Sequence, residues 1–221
     1  MIRSLVRAIL LPGPPRGLGI DVVADGRVSE RLAARHFTPA ERSSFSRDLP
    51  FAAREAVVKA VGGVGVPGAP LLDMAIARVD GALVFVPGPR YVPVLARKAV
   101  ARVHLEELSF SPPWPMCGVL AVACGQGEPH PAVFAVVVRR QASNDLSRLN
   151  DEEHRVVRGR HDPSPSIANR VAAREAARLL GIAGEVSVDG GGGTRPSLRG
   201  AADFLLSLGH EGDLGVAAVL R

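Results

Sequence analysis

Asp21 is lodged in the middle of an apolar run in GLGIDVVADG, residues 17–26, with Asp25 near its end. Such a run reads as a strand, in which successive side chains alternate between two faces. A carboxylate lodged there is costly to bury unless something cationic meets it. A second carboxylate, Glu55, lies in AAREAVVKAVG at residues 52–62, with Lys59 one helical turn further along the same face. Two hard oxygen donors suit a divalent cation such as Mg²⁺, with phosphate and water completing an octahedron, and an ammonium one turn away suits the same phosphate. The spacing also admits a plainer arrangement, in which Asp21 caps a turn while Glu55 and Lys59 form an exposed i,i+4 ion pair.

The elements that must position these groups are set by the chain as a whole. Its 221 residues are 47% hydrophobic and 22% charged, enough for one large core or two lobes of about a hundred residues each. No apolar run approaches a membrane span, so the sequence predicts a soluble, cytoplasmic protein without a membrane partner. Residues 1–16 carry Arg3 and Arg7 before a short apolar patch broken by Pro12, Pro14 and Pro15, which reads as a strand or tail rather than a signal peptide. Cys117 and Cys124 lie an odd number of residues apart in a strand-like stretch, face opposite ways, and are read as reduced core residues. The net charge of +5 is almost all arginine, since Lys59 and Lys98 are the only lysines. That balance suits an acidic or phosphorylated partner; with one Trp and one Tyr, no stacking platform for nucleic acid is evident.

An internal echo organises the rest. AAREAVVKAVG at 52–62 is repeated as AAREAARLLG at 172–181, each a helix ending on glycine. FTPAER at 37–42 and LNDEEH at 149–154 both read as helix starts, with Thr38 or Asn150 as cap and a glutamate three residues on. MCGVLAVAC at 116–124 and DLGVAAVLR at 213–221 are strand-like runs around a glycine, each after a serine segment. The order is the same in both halves, which points to duplication. The expected fold is α+β: two pseudo-twofold-related lobes, residues 1–125 and 126–221, each an antiparallel sheet packed with helices.

The halves differ where chemistry is at stake. The counterpart of the Asp21 strand, AVFAVVV at 132–138, is wholly apolar, and the second ARE helix has no lysine. Conversely, the second half has Ser207 and His210 in LSLGHE, and a glycine run that delivers Arg195 and Pro196 before a strand. Lobes packed face to face would assemble one composite site at their junction and lose its mirror image. Histidines 36, 104, 130, 154 and 161 have no paired spacing and are read as surface or core residues.

The first half resembles the holo-acyl-carrier-protein synthases of the 4′-phosphopantetheinyl transferase superfamily. GIDVVADGRV (19–28) is similar to their G-I-D motif, FTPAERSSF (37–45) to their F-T-x-x-E-x-x-x-F helix, and AREAVVKAVGG (53–63) to their K-E-A-x-x-K-A-x-G helix. In the second half, TRPSL resembles the G-R-P strand and LSLGHEGDLGVAAV the S-x-S-H segment with its following strand. The chain looks like a fused pair with the metal half first, the reverse of the surfactin-type order. It has Arg54 where a lysine is usual, Gly209 in place of one serine, and Val23 where the surfactin-type enzymes carry a third carboxylate.

The resemblance implies that Asp21 and Glu55 bind Mg²⁺ with the pyrophosphate of coenzyme A, and that Lys59 serves as a phosphate or proton-transfer residue. It also implies that His210, Ser207 and Arg54 contact coenzyme A phosphates, and that Arg195 and Pro196 flank the nucleotide. The reaction implied is transfer of phosphopantetheine to a serine of an acidic acyl or peptidyl carrier protein. Arg27, Arg31 and Arg35 would offer that partner a basic stripe on the helix after the G-I-D strand. Two other readings stand beside it: a catalytically altered relative that binds a carrier protein or coenzyme A, and a different metal-dependent enzyme acting on a carrier-tethered intermediate.

Overall fold

A computed structural model of the chain describes residues 2–62, 73–110, 115–182, 187–189, 196–199, 201 and 203–221. By its internal contacts the chain divides into two compact units, Leu11–His130 and Pro131–Arg221, the second of which also takes in Met1–Leu10.

In the first unit, β2 (Pro15–Ala24) is followed by three helices, α1 (Glu30–His36), α2 (Pro39–Ser44) and α3 (Asp48–Ala60). Strands β3 (Met74–Val79) and β4 (Ala82–Pro87), helix α4 (Tyr91–Arg97), and strands β5 (Arg102–Phe110) and β6 (Met116–Cys124) complete it. Its sheet has the order β2-β6-β5-β4-β3, with every neighbouring pair antiparallel. Thr38 and Glu41 form the capping box foreseen for α2, with Pro39 in the first turn. Helix α3 ends at Ala60 with Val61 as its C-cap, and Gly62 follows at φ +77°, the left-handed geometry that glycine adopts without strain.

The second unit repeats the plan. Strand β7 (His130–Arg140) leads through a short 3₁₀ turn at Leu146–Arg148 to α5 (Asp151–Arg158) and α6 (Ser164–Leu179), then to β8 (Ser187–Asp189), β9 (Ser197–Arg199), β10 (Leu205–Glu211) and β11 (Leu214–Leu220). Asn150 and Glu153 close a second capping box. The larger sheet has the order β1 (Ile2–Leu11), β7, β11, β10 and the smaller one pairs β8 with β9; β7–β11, β10–β11 and β8–β9 are antiparallel. Helices on antiparallel sheets make the fold α+β. The N-terminal segment, expected in the first lobe, instead forms β1 (Ile2–Leu11), the edge strand beside β7, so that β7 has partners on both sides.

Alanine-rich helix faces bring each long helix close to its sheet. Ala52, Ala53, Ala56 and Ala60 of α3 share a core with Val23 of β2 and with Val119, Ala121 and Ala123 of β6. Ala172, Ala173, Ala176 and Ala177 of α6 meet Ala135, Val137, Ala217 and Val219. The approach is tightest at Gly19, where a Cβ would stand 1.9 Å from the Ala56 carbonyl oxygen and 2.6 Å from the Ala60 nitrogen. Both obstacles are backbone, so the helix itself would have to lift. Gly19→Ala is therefore expected to destabilise the chain by at least the upper end of the about 1–3 kcal/mol typical of overpacking. Urea unfolding checks this; a variant that unfolds with the parent would contradict the close-packed geometry.

The glycine echo between β6 and β11 does not hold in detail. A side chain at Gly118 would meet Phe110 and Val22, whereas Gly215 lies against the Ala168–Asn169 backbone of α6. A one-residue offset in a strand exchanges its faces, so the two glycines occupy different environments.

Candidate active site

The helix-facing side of β2 carries Gly19, Asp21 and Val23, and α3 lays Glu55 and Lys59 over it. Asp21 is 8% exposed. The Lys59 Nζ donates to Asp21 Oδ1 at 2.7 Å and to the Ile20 carbonyl at 2.9 Å. The plainer alternative, an exposed Glu55–Lys59 pair with Asp21 capping a turn, is thus not the arrangement present: the ammonium bridges helix and strand. The loop after β2 is fixed by Asp48 at the start of α3, whose carboxylate accepts from the Gly26 and Val28 nitrogens at 2.7 and 2.8 Å. That turn gives way to helix α1, capped by Ser29.

Glu55 is half-buried, and its carboxyl is pushed above the ordinary value of 4.5 first by burial and then by the negative charge of Asp21, with Lys59 pulling the other way. Its anion is therefore disfavoured, and a divalent cation bound between the two acids would relieve it. Hard oxygen donors and an unfavourable like-charge pair fit Mg²⁺. Among the described residues no group of three His, Cys, Asp or Glu side chains is placed to hold a metal.

The shift has a consequence for stability. A carboxyl whose pKa is raised by folding contributes stability below its unfolded value, and this is lost as pH rises through the folded value. Glu55→Gln removes the titration and keeps the shape. Without divalent metal, its stability relative to the parent is expected to rise with pH upward from about 4.5 and to level off once the parent carboxyl is ionised. Urea unfolding across pH reads this; a difference that stayed flat with pH would refute the assignment.

Arg54 does not face the site. Its side chain is 1% exposed and its Nη2 donates to both oxygens of Glu41, at 2.9 Å each, and to the Met74 carbonyl at 2.9 Å. One residue before Glu55 is about 100° around the helix, which turns it inward. Contrary to the expected contact with a coenzyme A phosphate, the Arg54 guanidinium is committed to Glu41 and the Met74 carbonyl in the core. Glu41, which the sequence showed only as a capping residue, also accepts from the Ile76 nitrogen at 2.8 Å and so ties α2, α3 and β3 together. The second unit repeats the device: Glu153 accepts from Arg174 and from the Val188 nitrogen.

A curated relative, the holo-[acyl-carrier-protein] synthase of Clavibacter sepedonicus, is 42% identical over 99 residues, which are 82% of its length and 41% of this chain. The chain belongs to the holo-[acyl-carrier-protein] synthase family. It is a transferase of that type, within the 4′-phosphopantetheinyl transferase superfamily. The synthase of Clavibacter michiganensis subsp. michiganensis is 41% identical over the same share of its length. Among solved structures, the holo-[acyl-carrier-protein] synthase of Neisseria meningitidis is 27% identical and covers 49% of this chain and 98% of its own at a TM-score of 0.42. The Plasmodium yoelii holo-ACP-synthase is 18% identical, covering 51% of this chain and 97% of its own, also at 0.42. No protein-family model matches.

The remaining motif residues are placed as follows. Ser207 and His210 both lie on β10, in unbroken register with Ala218 and Gly215 of β11. They are three residues apart and therefore point to opposite faces: Ser207 is buried, and His210 is exposed on the side of Leu206 and Leu208. Pro196 directly precedes β9 and is half-buried, while Arg195 lies outside the described residues. Arg31 and Arg35 are exposed on α1, but Arg27 precedes the helix in the turn held by Asp48, so the basic stripe is not a continuous helix face. Tyr91, unremarked in the sequence, is buried near enough to Glu55 for that charge to help push its phenol up to about 12, after burial itself. No helix of the described residues is long and apolar enough to cross a membrane.

Proposed function

We propose that this synthase-family chain moves 4′-phosphopantetheine from coenzyme A to a serine hydroxyl of an acyl or peptidyl carrier protein, with Mg²⁺ held by Asp21 and Glu55. The observation that carries the proposal is the strand–helix junction, where Lys59 is clamped by Asp21 and Ile20 beside a Glu55 whose anion is disfavoured. The serine oxygen attacks the β-phosphorus of the coenzyme, the bond from that phosphorus to the bridging oxygen breaks, and 3′,5′-ADP leaves. When bound, Mg²⁺ supplies charge neutralisation on the pyrophosphate oxygens. Lys59, pre-positioned by two acceptors, offers a fixed ammonium to the same oxygens without reorganising. Glu55 is the group within the junction that takes the serine proton, on its carboxylate.

Carrier proteins of this kind are acidic, and the exposed Arg31 and Arg35, with Arg27 in the preceding turn, are proposed as the surface that receives one. His210 is proposed to contact a coenzyme A phosphate, as is Ser207, and Pro196 to flank the nucleotide with Arg195. The opposite facing of Ser207 and His210 favours a second reading, in which the chain binds coenzyme A or a carrier protein without transfer. Mass spectrometry of an apo carrier incubated with the chain, coenzyme A and Mg²⁺ separates the two. A gain of one phosphopantetheine supports transfer; calorimetric binding with no mass gain would replace it with the binding role.

A further inference from the structure

The two ARE helices present their glutamates to opposite charges. Arg139, at the end of β7, shares the helix-facing side of that strand with Ala135 and Val137, the side on which Asp21 sits in β2. It is 3% exposed. Its Nη1 donates to Glu175 Oε1 at 2.6 Å, and its Nη2 donates to Asp145 Oδ1 and Oδ2 at 2.8 and 2.7 Å. Asp145 is 0% exposed and also accepts from the Ala142 nitrogen at 2.7 Å. Arg148 adds an Nη1 contact of 3.3 Å to Glu175. Glu175 is the counterpart of Glu55 in the repeated helix, and Leu179 stands where α3 has Lys59. The same Arg148 nitrogen also lies 3.5 Å from Asp145 Oδ1, at the edge of the cluster, while the buried Arg139 makes the short contacts to both carboxylates. Two acids gathered around Arg139 have the pattern of a hard-cation site with a guanidinium in the ion's place.

We infer that Arg139 is a built-in cation filling the C-terminal twin of the Asp21–Glu55 site, so that Glu175 and Asp145 take no metal in the native chain and become a divalent-cation site when Arg139 is removed. The inference rests on the proposed reading that the Asp21–Glu55 pair holds a divalent cation. Its physical basis is charge balance. A divalent ion entering the Arg139 cluster would meet carboxylates already bonded to guanidinium. Deleting the Arg139 guanidinium leaves two carboxylates sharing only the longer contacts to the part-exposed Arg148, a local excess of negative charge of the kind that draws oxygen-seeking ions.

The test uses the full chain and Mn²⁺ as the probe, with uptake read by electron paramagnetic resonance and melting followed with and without the ion. In an Asp21→Asn/Glu55→Gln background, which silences the first pair, the chain is expected to take up no Mn²⁺. Adding Arg139→Ala, or the bulkier Arg139→Gln, should lower the melting temperature in metal-free buffer, restore it with Mn²⁺, and add one bound ion per chain. Arg139→Lys, which keeps a cation there, should bind none. Uptake by the Asp21→Asn/Glu55→Gln chain itself, or no uptake by either neutral Arg139 variant in any state of folding, would overturn the inference. Absence of Mn²⁺ from the otherwise native chain would instead count against the Asp21–Glu55 reading, and leaves the Arg139 comparison standing.

Discussion

Asp21→Asn is expected to cut phosphopantetheine transfer by on the order of 10²–10³-fold, the usual effect of removing one pre-positioned electrostatic group from a reacting centre. The asparagine keeps the shape of the aspartate and can still accept from Lys59, so β2 and α3 should remain packed. What it loses is the charge that a divalent cation needs and that holds the ammonium in place at 2.7 Å. Rates measured as mass gain on an apo carrier, beside unfolding curves of both proteins, check the two halves of the expectation. A folded variant with near-parental transfer would remove Asp21 from the metal and from the mechanism together.

Arg54→Ala should have the largest effect on stability. It strands the Glu41 carboxylate, 2% exposed, after removing both of its bonds to guanidinium. Breaking one side of a buried ion pair typically costs about 3–5 kcal/mol, because the remaining charge stays desolvated. Arg54→Lys is expected to cost much less. Among the described residues a single nitrogen, Nη2, makes the three Arg54 hydrogen bonds, and the buried Nε and Nη1 have no hydrogen-bond partner, so an ammonium can satisfy Glu41 without bringing those two donors inside. Lysine is also the residue that the resembling family motif carries at this position. Urea unfolding of both variants decides the matter; equal losses would show that fork geometry, not charge, holds Glu41.

Together these expectations separate two jobs that lie one residue apart. Glu55 and Lys59 face the strand acid and carry the proposed chemistry. Arg54 points into the core and fixes where α3 stands by gripping Glu41, which is itself bonded to β3 through the Ile76 nitrogen. A loss of transfer caused through Arg54 should therefore follow the loss of folded protein, whereas one caused through Asp21 should not.

That Glu55 and Lys59 share a face of α3 was legible in the sequence because a helix returns to the same face after four residues; that Asp21, 38 residues before Lys59, meets them was not, since spacing alone equally admits an exposed Glu55–Lys59 pair. The duplicated capping boxes at Thr38 and Asn150 were legible from spacing that is likewise short-range. Other readings needed information that spacing does not carry. The motif sets Arg54 next to Glu55 as a phosphate ligand, but its direction depends on which side of α3 meets the sheet. Arg27 fitted a helical stripe, yet Asp48, more than twenty residues along the chain, binds the Gly26 and Val28 nitrogens and makes that stretch a turn. Ser207 and His210 looked like one motif until β10 proved extended and set them on opposite faces.

The sequence alone determined the element order, the caps, the internal repeat and the shared helix face of Glu55 and Lys59, because each is read from local bonds and side-chain spacing along the chain. Only the tertiary structure decided which charges meet. It gave β1 to the second sheet, joined Arg54 to Glu41, and placed Arg139 between Glu175 and Asp145. Those pairings are set by burial, where a carboxylate taken from water must find a cation nearby, and by which distant segment the packing of α3 or α6 brings within reach.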